Sequence, residues 1–167
     1  MKYGNKVLEL LDNSGHVLRN LLFKITLCED TADELMQELF LRLATSPAFD
    51  HSKNSFAYAW RTAVNLGMDY HRKKRPTMGC NEQTADDQSL NQPLQKLITD
   101  EHIRIILCEV AKLRSPAREI VIMRYLEQCD YKEIADLLGK EENYIRSQLS
   151  KALKLIRENL NGQLDIQ

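Results

Sequence analysis

Apolar residues recur along this chain at steps of three and four, and alternation of apolar and polar residues is rare, so the pattern predicts helices and no sheet. From Val7 to Leu27 the stripe is Val17, Leu18, Leu21, Leu22 and Ile25, with Asn13 or Ser14 placed to cap its second part. Leu35, Leu39 and Leu43 share the next face, Met36 and Phe40 lie beside it, and Asp33, Glu34, Gln37, Glu38 and Arg42 lie outside. Thr31 with Glu34 three residues on predicts a capping box at the start of that helix. Thr45 to Ser55 reads as a loop from its Pro, Asp, Ser and Asn content, with Pro47 and Phe49 as its anchors. A third helix spans Phe56 to Pro76, and Pro76 ends it. Leu97, Ile98, Ile105, Ile106, Val110 and Leu113 predict a helix over 94–113. Ser115-Pro116 breaks it, and Pro116 suits the first turn of a helix carrying Ile120, Val121, Met123 and Tyr125. The tail from Asn161 to Gln167 is expected to fray.

Tyr131 to Arg157 is the most structured stretch on this reading. Ile134 and Leu138 share a face, Ala135 leaves room for a neighbouring helix, and Gly139 stands where a helix turns left-handed and stops. Ile145, Leu149, Ala152 and Ile156 then step by four, three and four, with Tyr144, Ser147, Gln148 and Lys151 opposite. A short helix, a glycine turn and a longer helix make a helix-turn-helix, which in its DNA-binding form places the second helix in the major groove. The plainer alternative is a helical hairpin within a bundle.

Composition narrows the class. With 167 residues the chain holds one domain or two small ones, and 43% hydrophobic and 28% charged residues are ordinary for a globular protein. No apolar run is long enough to span a bilayer, and the first residues lack a signal-peptide core, so a cytoplasmic protein without membrane insertion is expected. Cys28, Cys80, Cys108 and Cys129 are far apart and form no C-x-x-C pair, which favours free thiols. The four histidines show no metal-ligand spacing, and no glycine-rich phosphate loop or nucleophile motif occurs. Neither catalysis nor a metal or other cofactor is expected.

A net charge of −1 does not announce a nucleic-acid partner, but charge is concentrated locally. Phe56 to Pro76 collects Phe56, Tyr58, Trp60 and Tyr70 with Arg61, Arg72, Lys73, Lys74 and Arg75, against Asp69 alone. Bases pulled from a duplex stack on aromatic rings at about 1–3 kcal/mol each, and neighbouring cations hold phosphates. A basic helix end matching the helix dipole and aromatics filling a core is the structural alternative. Thr77 to Pro93 has almost no large apolar residues and reads as a tether between two helical domains.

Two helical modules, the first aromatic and basic and the second a helix-turn-helix, resemble a bacterial RNA polymerase sigma factor of the sigma-70 family, extracytoplasmic-function (ECF) group. DELMQELFLRL resembles that family's polymerase-docking helix of region two, AWRTAVNLGMDYHRKKRP its following helix, and SPAREIVIMRYLEQCDYKEIADLLGKEENYIRSQLSKALKLIRENL its region four. The resemblance implies an all-α chain of two small helical domains joined by a flexible linker: 1–76 for docking and minus-ten recognition, 77–95 as linker, and 96–161 for minus-thirty-five recognition.

The resemblance also assigns residues. Asp33, Gln37, Glu38 and Phe40 would meet the polymerase. Trp60, Arg61, Asn65, Asp69, Arg72, Lys73, Lys74 and Arg75 would serve the minus-ten element, and the loop Ser46 to Ser55 would receive a flipped base. Tyr144, Arg146, Ser147, Gln148 and Lys151 would read or clamp the minus-thirty-five element. The implied partners are core RNA polymerase through its beta-prime clamp helices and beta flap, promoter DNA, and an anti-sigma factor as a further candidate. Val64 stands where the family usually has Arg, Glu141 to Tyr144 where small residues are usual, and Gln148 and Leu153 where Arg is often found. These departures bear on the target sequence. A stand-alone helix-turn-helix regulator, or a degenerate sigma-like protein that binds without initiating, are the alternatives.

Overall fold

The computed structural model describes residues 3–73 and 93–164, and side chains for 5–73 and 100–161. Among the described residues all regular structure is helical: α1 (Tyr3–Thr26), α2 (Glu29–Ala44), α3 (Pro47–Asp50), α4 (Ser55–Lys73), α5 (Pro93–Lys112), α6 (Ala117–Tyr125), α7 (Tyr131–Leu138) and α8 (Glu142–Leu164).

The first module packs α1, α2 and α4 around Leu18, Leu21, Leu22, Ile25, Leu39, Leu43, Ala63, Val64 and Met68, all at most 1% exposed. Gly67 sets how closely α4 meets α1: a Cβ there would lie 2.7 Å from Ile25 Cγ2. The expected cap at Asn13 or Ser14 is not used. The helix α1 runs unbroken through both, with Val7 and Leu10 buried before them and Leu18, Leu21 and Leu22 buried after them on the same helix. Nor is Thr31 a cap. Leu27 takes a left-handed φ of 56°, and α2 starts at Glu29 after Cys28, which makes no side-chain cap. Glu29 and Asp30, both exposed, suit the positive end of this earlier turn, and Ala32 in it is fully buried. The loop between α2 and α4 holds the short α3, anchored by the fully buried Phe49, whereas Pro47 is exposed. Lys6 secures this loop by donating to the carbonyls of Phe49, Asp50 and Ser52 at 2.9–3.1 Å.

In the second module α7 and α8 form the expected hairpin. Ile145, Leu149, Ala152 and Ile156 are all buried against Ile134, Ala135, Ile120 and Ile122. Gly139 ends α7 with φ 63°, the left-handed region that favours glycine. A capping box opens α7: Glu133 N–H donates to Asp130 Oδ1 at 2.8 Å, and Asp130 N–H donates to Glu133 Oε2 at 2.7 Å. Two expected core positions face outward instead, Ile106 at 44% and Tyr125 at 56% exposed, while Leu107 takes the inner place on α5. The helix α5 begins at Pro93, inside the expected linker, and α8 continues past Asn161 to Leu164. The rest of the expected linker, together with Lys74, Arg75 and Cys80, lies outside the described residues, as do the side chains of Leu97 and Ile98. No helix among the described residues is long and apolar enough to cross a membrane.

Candidate nucleic-acid interface

Three surfaces carry the residues singled out from the sequence. On α8 the buried inner stripe turns Tyr144, Ser147, Gln148 and Lys151 to the other side, at the i, i+3, i+4, i+7 spacing of one helical face. Tyr144, Arg146, Ser147 and Lys151 are exposed and Gln148 is half-buried. Lys140 lies 5.8 Å from the Tyr144 ring centre. Arg146 lies over the Tyr131 ring at 4.3 Å and reaches Glu142 at 3.6 Å. The acidic Glu141, just before α8, and Glu142, in its first turn, are both exposed. Leu153 is half-buried against the core, so this departure from the family pattern is a packing residue.

On α4 the picture is different. Arg61 and Lys73 are exposed. Trp60, read as a stacking platform, is 5% exposed and lines a mostly apolar groove with Phe56, Ala57, Met123, Cys129, Leu137 and Leu138, between α4 and the second module, to which Arg61 and Glu127 also contribute. Asn65 Oδ1 accepts a hydrogen bond from Arg118 of α6. Arg72 Nε donates to the Ala111 carbonyl of α5 at 2.9 Å, and its Nη1 donates to Asp69 Oδ1 at 2.7 Å. Lys24 of α1 adds a third tie, donating to Glu127 Oε1 and the Leu126 carbonyl, both at 3.1 Å. Val64 is fully buried, so the residue that replaces the family's usual Arg belongs to the core.

This seam also holds two perturbed groups. His71 is 6% exposed and donates from Nε2 to the Ile25 carbonyl at 2.6 Å, while Cys108 Sγ lies 4.0 Å from its Nδ1. Burial outweighs the backbone hydrogen bond, and with Arg104 nearby holds the imidazole below its ordinary range, so the ring favours the neutral form. Burial likewise pushes the Cys108 thiol up, with Glu109 adding to it. Arg118 is 7% exposed, and its Nε is buried without a hydrogen-bond acceptor among the described residues.

On α2 the outward residues Asp33, Gln37 and Phe40 join the half-buried Glu38 and the exposed Leu41, which periodicity alone did not single out. Arg19 grips Asp33 with two hydrogen bonds of 2.6 and 3.0 Å, and that contact holds the Asp33 carboxyl below the usual carboxylate range. Glu38 pairs with Arg42 one turn on at 2.8 Å. Gln37 and Phe40 are the exposed members of the set for which no such pairing occurs among these contacts. The residues that sequence reasoning missed are Lys6, Lys24 and Arg118, each of which acts on a partner more than 40 positions away.

The chain matches two family models, Sigma-70 region 2 over residues 10–77 and Sigma-70, region 4 over residues 103–156. Among curated proteins it is similar to the RNA polymerase sigma factor YlaC of Bacillus subtilis, 24% identical across 96% of this chain and 95% of the relative. It is also similar to the RNA polymerase sigma-E factor of Streptomyces coelicolor, 27% identical across 78% of this chain and 72% of the relative. The ECF RNA polymerase sigma factor SigW of Bacillus subtilis is 21% identical across 77% and 75%. In fold it resembles CnrH, solved in complex with the cytosolic domain of CnrY, with a TM-score of 0.51 and 17% identity over 95% of this chain and 91% of that one. The two region matches in their family order, on the two helical modules described above, make this chain a member of the sigma-70 family, in its ECF group.

Proposed function

We propose that this chain binds core RNA polymerase and directs transcription from a specific promoter class, with the polymerase supplying all the chemistry. The observation that carries the reading is α8: a polar row from Tyr144 to Lys151 stands opposite a fully packed inner stripe, in a helix-turn-helix whose glycine turn and cap are both in place. On this reading α8 enters the major groove of the minus-thirty-five element, and Gln148 and Lys151 supply a base contact and a phosphate contact. The α2 face of Asp33, Gln37, Glu38 and Phe40 docks on the polymerase clamp helices, with Leu41 extending its apolar part, and the second module meets the beta flap. The proposed units are 1–76, a tether from 77 up to the start of α5 at Pro93, and the second module from α5 to 161.

Melting belongs to α4 and the loop before it. Arg61, Arg72, Lys73, Lys74 and Arg75 hold the non-template strand, and Asn65 and Asp69 face the unpaired bases. In the closed arrangement the groups on Asn65 and Arg72 are engaged with the second module, so DNA takes them only in exchange for Arg118 and the Ala111 carbonyl. A hydrogen bond to a charged group contributes roughly 1.5–3 kcal/mol, and a buried donor left unpaired costs about 1–3 kcal/mol. Arg118 carries one of each, and the two partly offset one another. An anti-sigma factor is the further partner we propose, and it would act on these same surfaces.

In vitro transcription with core polymerase on a randomised promoter library tests the reading. Selective transcripts sharing two spaced elements are the expected result. Tight duplex binding without any polymerase-dependent transcription would instead favour a stand-alone regulator. Arg72→Ala with Lys73→Ala is expected to lower permanganate-detected opening while polymerase binding persists.

A further inference from the structure

Tyr131 is the first residue of α7, yet its ring touches side chains from the helices on both sides. Arg124 of α6 lies 4.9 Å from the ring centre and Arg146 of α8 lies 4.3 Å from it. Arg124 is itself fixed, because its Nη1 donates to the Cys129 carbonyl at 2.9 Å in the segment leading into α7. A chain of contacts therefore runs from that segment through Arg124 and the Tyr131 ring to the guanidinium of Arg146. The capping box of Asp130 and Glu133 holds the first turn of α7, and with it the base of the tyrosine.

The consequence concerns how Arg146 meets DNA. Its side chain is 57% exposed, and its ion pair to Glu142 is long at 3.6 Å. A long, exposed arginine ordinarily samples many rotamers and loses that freedom on binding. A planar guanidinium stacked on an aromatic face is already confined, while its edge N–H groups stay free to donate. We infer that Tyr131 is a positioning residue: it holds the Arg146 guanidinium stacked and pre-aimed at a backbone phosphate of the duplex that α8 enters. The inference rests on the proposed DNA contact of α8 and adds to it a residue on the preceding helix that touches no DNA.

The experiment uses the full chain and a random-sequence duplex, with affinity measured over a salt series. Arg146→Ala is expected to weaken binding and to lower the salt slope by about one, the mark of a lost phosphate contact. Tyr131→Leu, which keeps an apolar side chain without the ring face, is expected to weaken binding about two- to fivefold when Arg146 is present, and not at all in an Arg146→Ala background. Tyr131→Phe keeps the ring and is expected to bind like the parent. Equal weakening by Tyr131→Leu with and without Arg146, or none with it, overturns the positioning role. Should Tyr131→Leu fail to fold, Arg146→Lys on the exposed face carries the test: the slope is kept and affinity falls two- to fivefold, and an undiminished affinity overturns the inference. If Arg146→Ala changes neither affinity nor slope, the α8 reading itself falls, and the inference with it. If Arg146→Ala acts and Tyr131→Leu is silent, the reading stands and only the inference falls.

Discussion

Arg118 donates a hydrogen bond from its guanidinium to the side-chain oxygen of Asn65, and so joins α6 of the second module to the face of α4 assigned to the minus-ten element. The two residues are 53 positions apart. The bond matters because the donor is buried and charged, its acceptor is neutral, and its remaining Nε is unpaired among the described residues. Arg118→Ala removes the tie and the orphan donor together. The expected outcome is a larger radius in solution scattering and a higher affinity of the free chain for single-stranded promoter oligonucleotide. An unchanged radius with unchanged affinity would show that this contact does not hold the modules together.

Gly67 gives a prediction on stability. An alanine Cβ there meets Ile25 Cγ2 at 2.7 Å, and Ile25 is fully buried and cannot swing away. Gly67→Ala ordinarily favours a helix by up to about 1 kcal/mol, but overpacking costs roughly 1–3 kcal/mol. The second effect is expected to win, giving a lower denaturation midpoint. A midpoint at or above the parent's would mean that α1 and α4 separate more freely than their contacts imply.

His71 makes stability depend on pH. Its folded pKa lies below the ordinary value, so below about pH 6.5 the unfolded chain binds the proton more readily. Its contribution is fully present above that point and falls as the pH drops toward the folded pKa. Burial sets the sign and Arg104 adds to it, while the hydrogen bond from Nε2 to the Ile25 carbonyl opposes it and Cys108 stands at Nδ1. His71→Gln keeps a donor for Ile25 and is expected to flatten the melting temperature across pH 5.5 to about 7. A profile as steep as the parent's would assign that slope to other groups.

On the proposed reading, Gln148 has a part in promoter choice. It is the half-buried member of the outward row on α8. Gln148→Ala is expected to alter preference at the upstream element alone when a randomised library is transcribed, with about 1–3 kcal/mol at the base it reads. A shift at the downstream element, or no shift at all, would count against that placement.

How far the sequence speaks depends on how far apart the interacting residues stand. The hairpin was legible because Ile145, Leu149, Ala152 and Ile156 repeat within a few turns and Gly139 marks its turn locally. The start of α2 differs from the capping pattern at Thr31: the helix opens at Glu29, after the left-handed turn at Leu27, a non-glycine position that no local residue type signals. The family pattern identified Asn65 and Arg72, but nothing local signals their engagement by Arg118 and the Ala111 carbonyl, which lie 53 and 39 positions away. Trp60 illustrates the same limit. Aromatic and basic neighbours make it a stacking candidate, but it is buried and shares a groove with Met123, Cys129, Leu137 and Leu138 of the second module.

That enclosure has a practical consequence. Trp60 is the chain's one tryptophan, and it lies where α4 meets the second module. Its indole emission therefore reports on that junction without any attached dye. As the groove opens and water reaches the ring, the emission of the free chain shifts to longer wavelength. The protein carries its own optical gauge of whether its two modules are together or apart, readable in a plain titration with salt, DNA or a regulatory partner that itself lacks tryptophan.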